Sequence, residues 1–216
     1  MTPELRKEAS ELQLHKRGIR INVQLHVIEA DEEVRLRTST EVEARLIALW
    51  AVSQAAISGE RKAMHAYLQA HNLTSVLSAQ ELNFLSQETV SDALQQSFRD
   101  RLHAFHFLAW CAGLLDKIDL SSKPIATEKI LQHFTQSDQK PPLTVALKLR
   151  RKADIMDWSD LLYRLHWAVR HAKLNDKPSP GNIDTAMVCE WHQAVNWMCN
   201  YDEENNWDLV STETTA

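Results

Sequence analysis

Apolar and polar positions recur along most of this chain at three- and four-residue steps, the period of an amphipathic helix. Residues 3–17 form the first such segment, with Leu5, Ala9 and Leu12 on one face and Gly18 as its stop. The pattern then changes. Ile19, Ile21, Val23, Leu25 and Val27 alternate with Arg20, Asn22, Gln24 and His26, a period of two that predicts a strand. It is the one good strand candidate, so it predicts an extended arm laid along the helices or paired with a second copy. After a charged loop over 31–37, Thr40 and Glu43 have capping-box spacing, and an apolar-rich helix runs to Ser58. Gly59 breaks it, and 60–71 continues as a second helical piece. Ser78 and Glu81 form another capping box, flanked by Leu77 and Leu82 at the positions of a hydrophobic staple. Leu94, Phe98, Leu102, Phe105 and Ala109 mark a long helix over 89–115. A connector (116–124), a short helix (127–134) and a polar loop (135–142) lead to the last third. There, helices over 153–174 and 183–200 flank a short loop containing Pro and Gly, so they should pack antiparallel. A tail follows from 201, with 212–216 expected to fray.

The pattern therefore predicts an all-α, single-domain multi-helix bundle over 1–216, with seven to nine helices. An N-terminal helix and extended arm occupy 1–39, and a helix pair with its tail occupies 153–210. Composition agrees. The 216 residues are 44% hydrophobic and 25% charged, enough to bury a core without disulfides or metals. Four glycines and six prolines leave few tight turns for a many-stranded fold. A net charge of −5 argues against nucleic acid as a partner. The short cluster Lys148, Arg150, Arg151, Lys152 reads as a solvated segment. No stretch is apolar for long enough to span a membrane, and Glu4, Arg6, Lys7 and Glu8 interrupt any signal peptide. Cys111, Cys189 and Cys199 form no CxxC pair, and the last two sit on one helix about 15 Å apart. Reduced thiols in a cytoplasm are the simplest reading.

Candidate chemistry is sparse. HExxH, P-loop, GxGxxG and GxSxG motifs are missing from the sequence, and four glycines leave no Gly-rich phosphate cradle. No cofactor is expected. Asp100, His103 and His106 drift around a helix beside Phe105, Phe107 and Trp110, which favours core packing over metal binding. Unusual residues concentrate in two segments, Asp157-Trp158-Ser159-Asp160-Leu161-Leu162-Tyr163-Arg164-Leu165-His166-Trp167-Ala168 and Glu190-Trp191-His192-Gln193-Ala194-Val195-Asn196-Trp197, with Trp207-Asp208 beyond. Five of the seven tryptophans lie from Trp158 onward, so this third holds most of the distinctive chemistry.

These segments resemble the signature of the bacterial domain-of-unknown-function 4272 family: a YRLHWA run, then ERH-x-ALNW, then WD. The likeness is strongest over 153–214 and extends more weakly to the helix at 41–50. Met156, Trp191, Val195 and Glu213 depart from the pattern, and Trp191 stands where an arginine is expected. The resemblance implies a recognised domain and brings no activity with it.

Helical geometry limits how these residues can cooperate. Asp157, Asp160, Arg164 and Trp167 share one face, with Asp160 and Arg164 spaced as an ion pair. Tyr163, His166 and Arg170 lie along the adjacent face. On the second helix Glu190, Ala194 and Trp197 share a face, and His192 goes with Asn196. Glu190 and His192 are about 200° apart, so a single site using both is hard to build. Two readings follow. In one, the set is a buried polar network that fixes helix register. In the other, His166 and His192 serve a ligand pocket walled by Trp167 and Trp197. The matching functions are a non-catalytic module that binds another protein, or assembles with itself, through an acidic or Trp-lined surface, and a small-molecule binder or enzyme with its site between the last two helices.

Overall fold

The computed structural model describes residues 1–215. Among them are eight α-helices and no strand: α1 (Pro3–Lys16), α2 (Ser39–Ser58), α3 (Arg61–Ala70), α4 (Ala79–Ser86), α5 (Asp92–Cys111), α6 (Thr127–Leu131), α7 (Lys152–Leu174) and α8 (Thr185–Met198). Short 3-10 turns occupy Thr74–Val76, Pro180–Asn182, Tyr201–Glu203 and Trp207–Leu209. The helices pack in the spatial order α2, α5, α8, α7, α1, with α3 and α4 against α2. Helix α2 and the C-terminal half of α5 are apolar nearly all round. Leu46, Leu49, Val52 and Ala56 of α2, and Phe105, Phe107 and Leu108 of α5, have no more than traces of exposed surface. Removing such side chains from water stabilises the fold by about 1.5–3 kcal/mol each.

Helix ends follow local chemistry. The Ser78–Glu81 capping box forms, with Ser78 accepting from the Glu81 N–H and Glu81 accepting from the Ser78 N–H. Leu77 packs on the core while Leu82 stays 38% exposed, so the staple is one-sided. The box opening α2 is Thr38–Glu41, two residues earlier than the spacing of Thr40 and Glu43 suggested. Both pairs fit the motif, and the register that buries Val42, Leu46 and Leu49 selects the earlier one. Gly113 follows α5 at φ 78°, where a Cβ would come within 2.5 Å of the Lys148 carbonyl oxygen.

Four expectations are corrected. The 19–27 segment is not a strand, since a turn at Val23–Leu25 breaks the alternation, and its backbone is tied to helices of the same chain. Lys7 donates to the carbonyls of Val23 and Leu25, and Arg164 donates to that of His26. Next, α1 turns Arg6, Ser10 and Leu14 inward and leaves Leu5, Ala9 and Leu12 outside, because Asp157 of α7 and Asp31 of the arm pair with Arg6 and draw it in. The basic cluster 148–152 is solvated only in part, at Lys148 and Arg151, while its other two residues are structural. Arg150 donates to the carbonyls of Trp110, Leu115 and Asp116 at the end of α5, and Lys152 donates to those of Asp31 and Val34. Finally, the tail is anchored as far as Thr215: Arg170 holds Thr212 and Thr214, and Tyr163 donates to the Thr215 carbonyl. Ala216, the end of the segment expected to fray, lies outside the described residues.

Candidate functional site

The signature residues do not converge on one point. Those on α7 fasten the N-terminal segment. Asp160 takes Arg164 bidentately at 2.7 and 2.9 Å, both side chains being buried. Arg6, also buried, donates to Asp157 and Asp31, each at 2.8 Å. Burial works against the Arg6 charge, and the two carboxylates more than offset it, so its pKa is raised. Asp157 therefore holds α1 against α7 through Arg6, and Asp160 orients Arg164, which donates to the His26 carbonyl of the arm. Trp167 lies flat on His171 with ring centres 4.9 Å apart, towards the surface and away from the other tryptophans.

His166 and His192 do meet. Their Nδ1 atoms are 2.8 Å apart, and His166 Nε2 is 3.4 Å from Cys189 Sγ. Burial pushes His166 down to about 4 and His192 well below its ordinary value, with Arg170 and, for His192, the neighbouring His166 adding to the effect. Both rings are neutral at pH 7, and each is only 2% exposed. Burial also raises the Cys189 thiol, so it is not poised as a thiolate. The polar-network reading describes this pair better than a pocket does.

Glu190 points the other way, into the core, as its 200° offset from His192 required. Burial drives its carboxyl up to about 7, the charge of Arg101 opposing, and its Oε2 has no hydrogen-bond partner among the described residues. Beside it is a cluster that sequence reasoning missed. Glu81, the capping-box carboxylate of α4, is fully buried and pairs with both Arg45 of α2 and Arg101 of α5. Burial raises the Glu81 pKa, but the two arginines bring it below the usual carboxylate range. Arg45 in turn lies 4.8 Å over the Trp207 ring, which is buried against Trp197. Asp208 accepts from the Gln80 N–H at the start of α4. The Trp-Asp of the tail thus locks the C-terminal segment onto α2 and α4.

Concave surface lies elsewhere. A cleft of about 780 Å³ opens between the arm (Glu29, Glu33, Val34, Arg35) and the turn after α8 (Asn200 to Glu203, with Asn205). Its floor is made by the two C-terminal helices, through Met156 and Ser159 of α7 and Asn196 of α8, with Cys199 just beyond. A smaller hollow of about 180 Å³ continues it towards Tyr163 and Glu213, sharing Glu29, Ser159, Asn196 and Tyr201. Carboxylates dominate the rim: Glu29, Glu33, Asp202, Glu203 and Glu213, against one arginine, Arg35. Burial raises the Tyr201 phenol, and Glu29, Asp202 and Glu213 raise it further. The turn itself is strained. Asn200, Asp202 and Glu203 all hold left-handed backbone, at φ 54°, 57° and 54°. Arg37 keeps it in place by donating to the carbonyls of Trp197 and Glu204 and to Asn205 Oδ1 while stacking on Trp197. Asn196 donates to the Ser211 carbonyl, tying the tail to the cleft floor. The sequence does carry the acidic runs 29–33 and 202–204, but nothing in it says that they face each other.

A second hollow of about 710 Å³ borders α5, and both His103 and His106 line it. His106 Nε2 is 2.7 Å from Thr127 Oγ1, and burial holds the ring down to about 4. His103 approaches Asp184 at 3.5 Å, and Asp184 is already engaged as the cap of α8. Among the described residues no three His, Cys, Asp or Glu side chains are grouped to hold a metal ion. No helix among them is long and apolar enough to cross a membrane.

Helix order, the paired Asp160 and Arg164, and the Trp207-Asp208 lock define a helical domain whose signature residues are spread across its framework. The chain belongs to the domain-of-unknown-function family DUF4272, whose family model matches residues 6–210. No curated protein and no solved structure matches the chain.

Proposed function

We propose that this chain is a non-catalytic binding module of the bacterial cytoplasm, holding a positively charged segment of another protein in the cleft between its arm and its C-terminal turn. The observation that carries this reading is the rim of five carboxylates around a cleft with a polar floor. A rim of one sign over low-dielectric walls focuses its field on a ligand of the opposite sign. The two candidate catalytic histidines support the same reading, because they are neutral, buried and occupied with one another. Three cysteines free of disulfides suit a reducing compartment.

The test is a titration of fluorescent octalysine and octaglutamate peptides against the protein at two salt concentrations. Octalysine is expected to bind, to weaken as salt rises, and to weaken at least five-fold with Glu29→Gln and Glu203→Gln together. Equal affinity for both peptides, or indifference to the two substitutions, would remove the proposal. A second reading rests on cleft size: about 780 Å³ over the two C-terminal helices also suits a small cationic molecule. Binding of spermidine in preference to the peptide would favour it.

A further inference from the structure

The two ends of helix α8 line two different hollows. Asn196 and Cys199, near its C-terminal end, line the acidic cleft. Ile183, Asp184 and Met187, around its start, line the hollow of about 710 Å³ beside α5. A helix carries partial negative charge at its C-terminal end and partial positive charge at its N-terminal end. The cleft adds carboxylates at the negative end, and the hollow adds cations at the positive one. Arg17, just past α1, and Lys123, in the connector before α6, both line the hollow and are exposed. Among the described residues neither side chain is in an ion pair, and Lys123 is held only through its backbone N–H, which donates to Ser121. The nearby carboxylates are engaged. Asp184 accepts from the Ala186 and Met187 N–H groups as the cap of α8, and His103 approaches it at 3.5 Å. Asp119, near Arg17, lies 3.8 Å from Lys117 and accepts from the Ser121 N–H. Opposite the cations is an apolar wall of Leu102, Leu120, Ile125, Ile183 and Met187. Leu120, Ile183 and Met187 are buried in the core, so the wall is preformed.

We propose that this hollow binds a small amphipathic anion, a monocarboxylate with an aliphatic body. The carboxylate lies at the rim with Arg17 and Lys123, and the body covers the apolar wall. Each part uses what the other leaves idle. Apolar surface leaves water along the wall, while the head keeps two cations company that nothing else in the fold engages. A hollow of about 710 Å³ with a mostly apolar wall and a few polar groups has the size and make-up of a small-molecule site. The charges also set the head group. Asp184 and Asp119 are close enough to repel a second negative charge, so a singly charged carboxylate suits the rim better than a phosphate. The site is separate from the acidic cleft: α8, about 20 Å long, lies between them, and the two take ligands of opposite sign.

Isothermal titration of the intact chain with octanoate tests this, beside octylammonium, acetate and inorganic phosphate. Octanoate is expected to bind one to one with a dissociation constant on the order of 100 µM. The other three should each bind about ten-fold more weakly or not at all, since each lacks the charge, the body or both. Arg17→Gln with Lys123→Gln should weaken octanoate about ten-fold and leave the melting curve unchanged, because both side chains are exposed and outside the core. Arg17→Glu with Lys123→Glu should turn the preference over to octylammonium. No heat of binding from octanoate at about 1 mM would overturn the proposal. So would equal binding of octylammonium, equal binding of acetate or phosphate, or octanoate binding indifferent to the two substitutions.

Discussion

His166 and His192 face each other through their Nδ1 atoms at 2.8 Å, so one imidazole donates and the other accepts, a bond that two protonated rings cannot make. Replacing either by alanine leaves the other buried without its partner. His192→Ala and His166→Ala are each expected to lose about 1–3 kcal/mol in urea unfolding. Unchanged or increased stability in both variants would mean that the pair is kept at a cost to the fold, as functional groups often are.

The same pair makes the fold sensitive to acid. His106, His166 and His192 have folded pKa values well below 6.5. Their contribution is present above the unfolded value and is lost as pH falls below it towards their folded values, about 4 for His106 and His166 and well below the ordinary value for His192. Glu190 acts in the opposite sense over part of this range. Three protons, joined in part by His103 whose pKa burial also lowers, against one leave a net difference of at least two, or roughly 3 kcal/mol per pH unit between pH 6 and 5. Melting temperature should therefore fall steeply over that interval, and a flat profile would contradict the burial of these rings.

Glu190 yields a separable prediction. Its folded pKa of about 7 lies above the ordinary 4.5. Its protonated form contributes stability that is complete below 4.5 and lost as pH rises through 7. Glu190→Gln keeps the neutral form at every pH. Its stability relative to the unsubstituted chain should be about 3 kcal/mol more favourable at pH 8 than at pH 4. Paired denaturant titrations at the two pH values measure this, and an equal difference at both would refute it.

Glu81 joins α2, α4 and α5 by pairing with Arg45 and Arg101 while capping α4. Glu81→Gln leaves two buried guanidinium groups short of a counter-charge, and the expected loss is about 3–5 kcal/mol. Glu41→Gln serves as the control, since Glu41 has the same capping-box role at an exposed helix start and beyond it only a long 3.7 Å approach to Arg37. Its loss should stay at or below about 1 kcal/mol. Equal losses would show that the cap, and not the buried cluster, matters at Glu81.

Local signals survived the passage from sequence to structure where local chemistry decides them. Helix α7 begins one residue before the expected 153 and ends at the expected Leu174, because its boundaries rest on apolar period and a short loop. Asp160 and Arg164 pair as their spacing demands. What failed was direction. The Leu5–Leu12 face of α1 looked like the side that packs, but Asp31 and Asp157 draw in Arg6 from residues 25 and 151 positions away. The alternation of 19–27 is broken by a turn that the hydrophobic pattern does not encode. Long-range charge pairing has no periodicity, so Arg45, Glu81 and Arg101 were invisible as a set. The cleft was hidden for the same reason: its acidic walls lie at opposite ends of the sequence.

Arg37 shows what that separation means for assembly. Its guanidinium reaches groups 160, 167 and 168 positions away, clasping the turn that closes the cleft. Contacts spanning most of a chain carry the largest loop-closure cost and come after local helices and their neighbours. The mouth of the cleft is therefore expected to be completed late in refolding, and a ligand gripping both walls would act as a brake on its reopening.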